Sequence, residues 1–469
     1  MKPLWTTPDF VAASGGQLAG EARGEIGGVS IDSRTISVGD AFVAIKGESL
    51  DGHDFVGAAL RGGATLALVQ EGRVGPELGP LLVVPDDPLK ALERIGAASR
   101  ARMRGSIVAV TGSVGKTGTK EMLRLALSEL GPTHSPVSSF NNHWGVPLTL
   151  SRMPEETRFG VFEIGMNHPG EIRPLVKMVR PHIAVVTTVE AVHLAHFESE
   201  QGIAEAKAEI FEGLEPGGFA VLNRDNKWFD LLFERARARG ARVVSFGSHR
   251  QADIRLDRVA LQEDGSTVQA ALLDEAVAYR VGAPGKHLVQ NSLAVLAVVH
   301  ALQGDMARVL LALARFRAPR GRGERLPLLH PAGAFTLIDE SYNANPASMR
   351  AALALLGQAN PRGRGRRIAV LGDMLELGEA APAQHRGLAP VLEESGADLV
   401  FLAGPMMAEL WRHLPDARRG AYAGSAAELE PILLKAVGPG DVVMMKASLG
   451  TRLGPVVEAL KRRFSPEAA

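Results

Sequence analysis

The feature that most constrains this sequence is the alternation of short apolar runs with longer segments that suit helices. The runs consist of Val, Ile, Ala and Leu, and glycine, proline or polar residues bound them. Strands that helices cover on both faces carry such continuous apolar runs, and an intervening helix makes neighbouring strands parallel. The sequence therefore predicts an α/β protein built on mainly parallel sheets.

The apolar runs fall into three groups, which suits a chain of 469 residues. The first group lies between residues 26 and 85, and the second opens with SIVAVTG at 106–112. Residues 253–281 alternate polar and apolar residues around EDGS, which predicts an antiparallel addition to the second sheet. Pro319, Pro327 and the glycines between them break any regular element before the third group. The predicted domains are 1–98, 99–318 and 319–469.

Composition excludes several classes of protein. Cysteine is absent, so disulfides, thiolate metal sites and cysteine nucleophiles are excluded together. Lys and Arg number 52 against 52 Asp and Glu, so the net charge gives no reason to expect a polyanion-binding surface. The sequence has neither an apolar run of membrane-spanning length nor a secretory signal pattern at its start. We expect a cytoplasmic monomer that binds neither nucleic acid nor membrane.

The strongest local signal for chemistry is VAVTGSVGKTGTKEM at residues 108–122. An apolar strand leads into a turn with Gly112 and Gly115, and Lys116 and Thr117 then open a helix. Backbone N–H groups of such a turn bind phosphate oxygens, the lysine adds positive charge, and the threonine hydroxyl suits Mg²⁺. Val110 stands where the usual pattern has a further glycine. The segment is typical of a P-loop, and the alternative is a plain glycine-rich turn.

Two later segments carry candidate metal ligands. Glu163 lies inside an apolar strand, where a carboxylate is costly unless it meets a cation or forms a buried salt bridge. Near a P-loop threonine, a Mg²⁺ ligand is the better interpretation, because hard cations take oxygen ligands. His193 and His196 follow the next strand, in a loop where a histidine is either a metal or phosphate ligand or a structural residue.

Lys207 lies on the apolar face of a predicted helix. It follows Ile203 by four residues and precedes Phe211 by four, so helical spacing turns it toward the core. An ammonium group there must reach solvent along its stem, pair with an anion, lose its proton or be chemically modified. Periodicity alone favours the first of these.

Two polar clusters stand at predicted strand and helix ends. Asn291 near a helix start either caps the helix or contacts a nucleotide base. In the third domain, DESYNAN places six polar residues from Asp339 to Asn345 after a strand, at the sheet edge where open α/β proteins bind ligands. Asn345 before Pro346 also suits a helix cap.

These segments, in this order, resemble those of the Mur ligase family of peptidoglycan synthesis. The resemblance covers nearly the whole chain and rests on GSVGKTGTKEM, NNHWGVPLTL, FEIGMNHPGEI, AKAEIFEGL, GKHLVQNSLAV, DESYNANPASM and LGDMLELG. It implies an N-terminal domain that binds the UDP end of a substrate, a central P-loop ATPase and a C-terminal Rossmann-like domain. The implied reaction is ligation of D-Ala-D-Ala to UDP-MurNAc-tripeptide, with ATP, Mg²⁺ and a carbamylated lysine.

The resemblance also implies roles for individual residues. UDP contacts fall on Ser33, Arg34, Lys46, Asp51 and His53. The nucleotide phosphates fall beside Gly112, Ser113, Val114, Gly115, Lys116, Thr117, Asn141 and Asn142. The adenine contact falls on Asn291, and cross-domain nucleotide contacts fall on Asp339, Tyr342 and Asn343. Mg²⁺ ligands fall on Thr117, Glu163, His193 and, if carbamylated, Lys207.

A linker arginine that contacts the γ-phosphate is Arg322 or Arg325, and the spacing does not choose between them. The implied catalytic residues are thus Lys116, Glu163, His193, Lys207 and one or both of these arginines. The dipeptide or acyl phosphate contacts fall on Asp373, Lys446, Ser448 and Arg452. The linker itself is either a hinge that delivers a guanidinium group or a solvated basic tether.

Three rival functions remain at this point. A folylpolyglutamate synthase shares the P-loop and the C-terminal domain, but it lacks a UDP-binding domain such as residues 1–100 would form. A P-loop switch without ligase activity would turn over ATP slowly and ignore peptides. Another Mur ligase would take a different amino donor, although the Asp-Asn-Pro-Arg motif of the diaminopimelate-adding relative is absent from the chain.

Overall fold

In a computed structural model of the chain, the structure describes residues 3–22, 24–191, 197–273 and 275–465. The described strands form three separate sheets of five, nine and six strands. Most neighbouring strands are parallel and are joined by helices, as the apolar runs predict. The α/β fold class is therefore confirmed, whereas the domain limits at residues 98 and 318 stay predictions.

The N-terminal sheet has the order β1-β5-β4-β3-β2, with only β1 antiparallel to its neighbour. Its strands are β1 Gln17–Ala19, β2 Gly28–Ser30, β3 Asp40–Val43, β4 Leu66–Gln70 and β5 Leu81–Val84. The helices of this part are α1 Thr7–Ser14, α2 Val56–Arg61 and α3 Pro88–Arg102. Short 3₁₀ turns at Ser33–Thr35 and Gly52–Phe55 follow the carboxyl ends of β2 and β3.

The central sheet has the order β14-β13-β12-β11-β10-β9-β6-β8-β7. Its parallel strands are β6 Ser106–Thr111, β7 Thr133–His134, β8 Phe159–Glu163, β9 Ile183–Val186, β10 Phe219–Asn223 and β11 Arg242–Gly247. The antiparallel addition consists of β12 Ile254–Gln262, β13 Gly265–Leu272 and β14 Glu275–Val281. The helices are α4 Lys116–Ser128, α5 Gly145–Ser151, α6 Ile172–Val179, α7 Glu200–Ala208, α8 Phe229–Ala238, α9 Lys286–Ala301 and α10 Met306–Leu313.

The C-terminal sheet has the order β15-β16-β20-β17-β18-β19, with β15 antiparallel at the edge. Its strands are β15 Glu324–His330, β16 Gly333–Glu340, β17 Arg367–Gly372, β18 Leu399–Ala403, β19 Arg419–Ala423 and β20 Val442–Lys446. The helices are α11 Pro346–Gly357, α12 Ala381–Arg386, α13 Leu388–Glu394, α14 Met407–Trp411, α15 Ala426–Ala436 and α16 Leu453–Phe464.

Strand β6 shows why the apolar runs are continuous. Val108 and Val110 pack into the core on one face of the central sheet, and Ile107 and Ala109 pack into the core on the other. All four residues are fully buried. Because helices cover both faces, no position of such a strand tolerates a charged residue without a partner.

The sequence misplaced one boundary and missed several strands. The predicted break reached Pro327, yet β15 begins at Glu324 and contains this proline. The proline is tolerated because β15 is an edge strand. The short strands β1, β7 and β19 also escaped detection, because none of them is a long apolar run.

Helix α3 connects the first two sheets. Asp87 caps its start by accepting a hydrogen bond from Leu89 N at 2.8 Å. Leu92 and Ile95 are buried in the core of the N-terminal domain. Farther along, the Arg100 guanidinium donates to the carbonyl oxygens of Val179 and Arg180, each at 2.8 Å, at the end of α6.

We predict that Arg100→Met lowers the free energy of unfolding by about 2–4 kcal/mol, since two buried carbonyl groups lose their donors. Urea denaturation measures the change. Arg104→Met is the matched control, because the Arg104 side chain is exposed, and we expect it to change stability by less than about 0.5 kcal/mol. Equal stability of the two variants would show that Arg100 does not join the domains.

Candidate active site

The loop between β6 and α4 has the shape that phosphate binding requires. Gly115 precedes α4 with a φ of +88°, and Gly112 has a φ of +151°. A Cβ atom on Gly112 would lie 1.9 Å from Thr187 Oγ1. The same Thr187 hydroxyl donates to Val114 O at 2.6 Å, so the end of β9 holds the loop in place.

Two side chains donate hydrogen bonds to a carboxylate behind this loop. Glu163, at the end of β8, is 1% exposed. Its Oε2 accepts a hydrogen bond from Thr117 Oγ1 at 2.9 Å, and its Oε1 accepts one from Asn141 Nδ2 at 2.7 Å. Lys116 Nζ donates to Gly112 O at 2.6 Å. Burial lowers the pKa of Lys116, nearby Glu163 opposes this, and Arg322 adds to it.

Lys207 lies on α7 with its side chain in the core, beside the buried Ile203 and one turn before the buried Phe211. The residue is 2% exposed, so its stem does not carry the amine to solvent. Within the described ranges it has no hydrogen-bond or ion-pair partner. Burial, and then the charge of Lys116, hold the pKa of Lys207 well below its usual range. His193 and His196 lie outside the described residues.

Asn291 contacts the phosphate loop rather than capping a helix. Helix α9 begins at Lys286, so Asn291 lies beyond its first turn, and it is 6% exposed. A Cβ atom on Gly115 would lie 2.8 Å from Asn291 Oδ1, and one on Gly118 would lie 2.8 Å from Asn291 Nδ2. The amide therefore packs against two glycines that leave room for it.

The structure distinguishes the two candidate linker arginines. Arg322 Cζ lies 4.1 Å from the Tyr342 ring centroid, and Arg322 Nη2 donates to Ser139 Oγ at 3.3 Å. Arg325 lies on β15, outside the cavity beside the phosphate loop, and burial lowers its pKa. Arg322 is thus the arginine that the fold brings to the phosphate loop.

The other linker arginines pair with both neighbouring domains, although the Arg315 and Arg320 side chains are largely exposed. Arg315 pairs with Glu129 of the central domain, and Arg320 Nη2 lies 2.6 Å from Glu458 Oε1 of the C-terminal domain. Arg317 donates to Gly282 O at 3.1 Å. The partners therefore change from the central to the C-terminal domain between residues 317 and 320.

Several polar residues of the C-terminal domain form hydrogen bonds to other residues of the same domain. Asp339 Oδ1 accepts hydrogen bonds from the backbone and side chain of Ser341 at 3.0 and 2.6 Å. Asn345 caps α11 as part of a capping box. Asn343 Oδ1 accepts from Ala344 N at 2.9 Å, although Asn343 also lines the cavity.

The four residues expected at the dipeptide or acyl phosphate fall into two groups, one that lines the cavity and one that does not. Lys446 is 2% exposed, lines the cavity and donates to Glu340 Oε2 at 3.2 Å. Asp373 accepts from Met407 N at 2.9 Å, and burial raises the pKa of its carboxyl group. Ser448 Oγ donates to the carbonyl of Ala344, and the Arg452 side chain is exposed. Of the four, only Lys446 lines the cavity.

The residues expected at the UDP end lie beyond β2 and β3, away from the phosphate loop. Ser33 and Arg34 form a 3₁₀ turn in which Arg34 Nη2 pairs with Asp32 at 2.7 Å. His53 Nε2 accepts from a backbone N–H, so its Nδ1 donates to Asp51 Oδ1 at 2.6 Å. Lys46 and Asp51 form an isolated antiparallel bridge. The five residues share one edge of the sheet.

A cavity of about 900 Å³ lies beside the phosphate loop. All three domains line it, through Glu48 of the N-terminal domain, the phosphate loop, and Arg322, Tyr342 and Lys446 of the C-terminal region. Asn142 also lines it and caps α5, accepting from Gly145 N at 2.9 Å.

Sequence reasoning missed several lining residues, namely Glu48, Ser139, Thr187, Asn223, His287 and Gln290. Burial lowers the pKa of His287. A polar residue just after a buried strand is a usable signal for Thr187 and Asn223. The other four have no such local signal.

Comparison with known proteins agrees with this arrangement. The Mur ligase family catalytic domain model matches residues 25–94, the Mur ligase middle domain model matches 110–299, and the glutamate ligase domain model matches 322–449. The chain belongs to the Mur ligase family, which confirms the resemblance predicted from its motifs.

Among its relatives is the UDP-N-acetylmuramoyl-tripeptide–D-alanyl-D-alanine ligase of Bacillus subtilis, 32% identical over 93% of each chain. The crystal structure of MurF from Acinetobacter baumannii has a TM-score of 0.84 and 31% identity, and covers 97% of this chain and 98% of its own. MurF from Thermotoga maritima, solved in complex with ADP, has a TM-score of 0.76 and 26% identity, with coverage of 93% and 98%. Every described helix is too short or too polar to span a membrane.

We predict that Gly118→Ala weakens ATP binding about tenfold, or ~1.4 kcal/mol, because the added methyl group displaces the Asn291 amide. Titration calorimetry measures the Kd. Gly202→Ala is the matched control within a helix, since its nearest neighbour would be Phe197 Cδ1 at 3.6 Å. An unchanged Kd for Gly118→Ala would place the nucleotide away from Asn291.

Proposed function

We propose that this chain joins D-Ala-D-Ala to UDP-MurNAc-tripeptide at the expense of ATP, in bacterial cell-wall synthesis. The single observation that carries the proposal is the cavity in which a phosphate loop, a buried carboxylate and a linker arginine lie together. Relatives that share 30% or more of the sequence carry the name of this activity. Their name favours D-Ala-D-Ala as the amino donor over the donors of the other Mur ligases. It also favours this activity over that of a folylpolyglutamate synthase.

In the first step, the carboxylate of the tripeptide attacks the γ-phosphorus of ATP, and ADP leaves. Two anions must approach each other, so the site has to supply positive charge. Lys116 and Arg322 face the cavity with that charge, and the backbone N–H groups from Gly112 to Thr117 surround the nucleotide phosphates. The bond formed joins a carboxylate oxygen to the γ-phosphorus and gives an acyl phosphate, and the bond broken joins the γ-phosphorus to the bridging oxygen of ADP.

In the second step, the amine of D-Ala-D-Ala attacks the carbonyl carbon of the acyl phosphate. A tetrahedral intermediate forms, inorganic phosphate leaves, and the nitrogen loses a proton as the amide forms. Lys446, held by Glu340 at 3.2 Å, is a cation of the C-terminal domain that lines the cavity. We assign it to the oxyanion or to the departing phosphate.

The residues beside the phosphate loop fit a Mg²⁺ ion. Thr117 Oγ1 and Glu163 Oε2 lie 2.9 Å apart and are the hard oxygen donors that Mg²⁺ prefers. When bound, the ion neutralises charge on the phosphate oxygens. His193 stays a predicted ligand. Nucleotide substrates of this kind occur in the cytoplasm, and we propose a cytoplasmic monomer.

The proposed activity is tested by incubating the protein with ATP and UDP-MurNAc-tripeptide and varying the amino donor. ADP release and the mass of the product are measured for D-Ala-D-Ala, D-Ala, L-Ala, L-glutamate and meso-diaminopimelate. We expect ADP release and a UDP-MurNAc-pentapeptide with D-Ala-D-Ala alone. Ligation of another donor, or ADP release that ignores peptides, would refute the proposal.

We predict that Arg322→Ala lowers kcat about 100-fold, because a guanidinium group at the transferred phosphoryl group is lost. Arg325→Ala should change kcat less than about threefold, as this side chain lies outside the cavity. Steady-state ADP release compares the two variants. The reverse order of effects would assign the γ-phosphate contact to Arg325.

We predict that Lys207 is carbamylated, since its amine is buried without a partner among the described residues and the anion formed by CO₂ addition suits a Mg²⁺ ion. Lys207→Ala should lose activity, and a short carboxylate in the buffer should restore part of it. ¹³C-labelled CO₂ should give a carbamate signal in the wild-type protein. No signal and no restoration would leave Lys207 as an unmodified core amine.

A further inference from the structure

Another buried lysine, Lys120, lies one helical turn beyond Lys116, and the proposed mechanism does not use it. It is 1% exposed. Its Nζ lies 2.5 Å from Glu121 Oε1 and donates to the carbonyl oxygen of Pro136 at 3.2 Å. A buried ammonium group is costly without such partners, so its presence needs an explanation.

Pro136 begins a stretch that we call the bridging segment, residues 136–144. Ser139, in its middle, accepts the hydrogen bond from Arg322 at 3.3 Å. Two residues later, Asn141 donates to Glu163. The bridging segment therefore contacts both the linker arginine and the buried carboxylate of the cavity.

The first half of the bridging segment has few hydrogen bonds to other elements, and Phe140 at its end packs against the core of the N-terminal domain. Val137 is 86% exposed, and Ser138 is exposed as well. Within the described chain, other elements make two hydrogen bonds to residues 135–140, one from Lys120 to Pro136 O and one from Arg322 to Ser139 Oγ.

Asn141 has an anchor of its own, because Gly165 N donates to Asn141 O at 2.8 Å. The hydrogen bond from Lys120 to Pro136 O therefore affects the position of Ser139 more than that of Asn141. If Pro136 moved, Ser139 would move with it. The Arg322 guanidinium group, which donates a hydrogen bond to Ser139, would then be displaced as well.

We propose that Lys120 is a positioning residue for phosphoryl transfer. It fixes the carbonyl of Pro136, which sets the place of Ser139 and so the place of Arg322 against the γ-phosphate. The inference rests on the proposed ligase function. Lys120 lies outside the lining of the cavity and acts only through the bridging segment.

The test is Lys120→Met, which keeps the length of the side chain and removes the donor. We expect kcat to fall about tenfold, since a small misplacement of a charged group has effects of this size or larger. The ATP Kd should stay within about twofold, because Lys116 and the phosphate loop are unchanged. Lys120→Arg, which keeps a charged donor, should restore part of kcat.

Arg124→Met is the matched control. Arg124 Nε donates to the same Glu121 carboxylate at 2.8 Å but makes no contact with Pro136. We expect wild-type kcat for this variant. An equal loss of kcat in Arg124→Met and Lys120→Met would assign the effect to the helix rather than to the bridging segment.

The same substitution in a Ser139→Ala background separates positioning from folding. If Lys120 acts through Ser139, adding Lys120→Met to the Ser139→Ala variant lowers kcat by less than about twofold relative to Ser139→Ala alone. A full tenfold loss in that background, or unchanged kcat in the single variant, would overturn the proposal. Should Lys120→Met not fold, Lys120→Gln, which keeps a neutral donor, is put through the same cycle. Wild-type ligation, assayed alongside, tests the proposed function separately.

Discussion

The buried carboxylate of Glu163 is the constraint on which the rest of the site depends. A charge at the end of a fully covered strand is stable only if donors or a cation meet it. Thr117 from the phosphate loop and Asn141 from the bridging segment meet its two oxygens in this structure. One side chain therefore fixes the start of α4 and the bridging segment relative to each other. A metal ion at the carboxylate would take the place of part of this hydrogen bonding.

The bridging segment extends the same constraint to the other two domains. Phe140 and Trp144 pack against the core of the N-terminal domain, while Ser139 between the cavity and the linker accepts from Arg322. The bridging segment thus contacts both neighbours of the central domain. The arginine partners change from the central to the C-terminal domain between residues 317 and 320.

The sequence predicted those features that local pattern determines. Gly112, Gly115, Lys116 and Thr117 form a contiguous motif, and Glu163 stood out because it interrupts an apolar run. Ser139 and His287 have no such signal, because only the tertiary arrangement brings them to the cavity. Polar residues at strand ends also hold neighbouring loops, as the hydrogen bonds of Asp373 and Ser448 show, and the role of these two residues at the dipeptide stays a prediction. The choice of Arg322 needed the start of β15 at Glu324, which the prolines and glycines of the linker concealed.

The central claim is that the tripeptide carboxylate is phosphorylated in this cavity before the amine attacks. The most direct measurement uses UDP-MurNAc-tripeptide labelled with ¹⁸O in its terminal carboxylate, together with ATP and D-Ala-D-Ala. Mass spectrometry of the released phosphate then reports the origin of its oxygen atoms. If an acyl phosphate forms, one ¹⁸O atom of the carboxylate is found in the phosphate for each amide bond made. Unlabelled phosphate, released at the same rate as the pentapeptide product, would contradict the account.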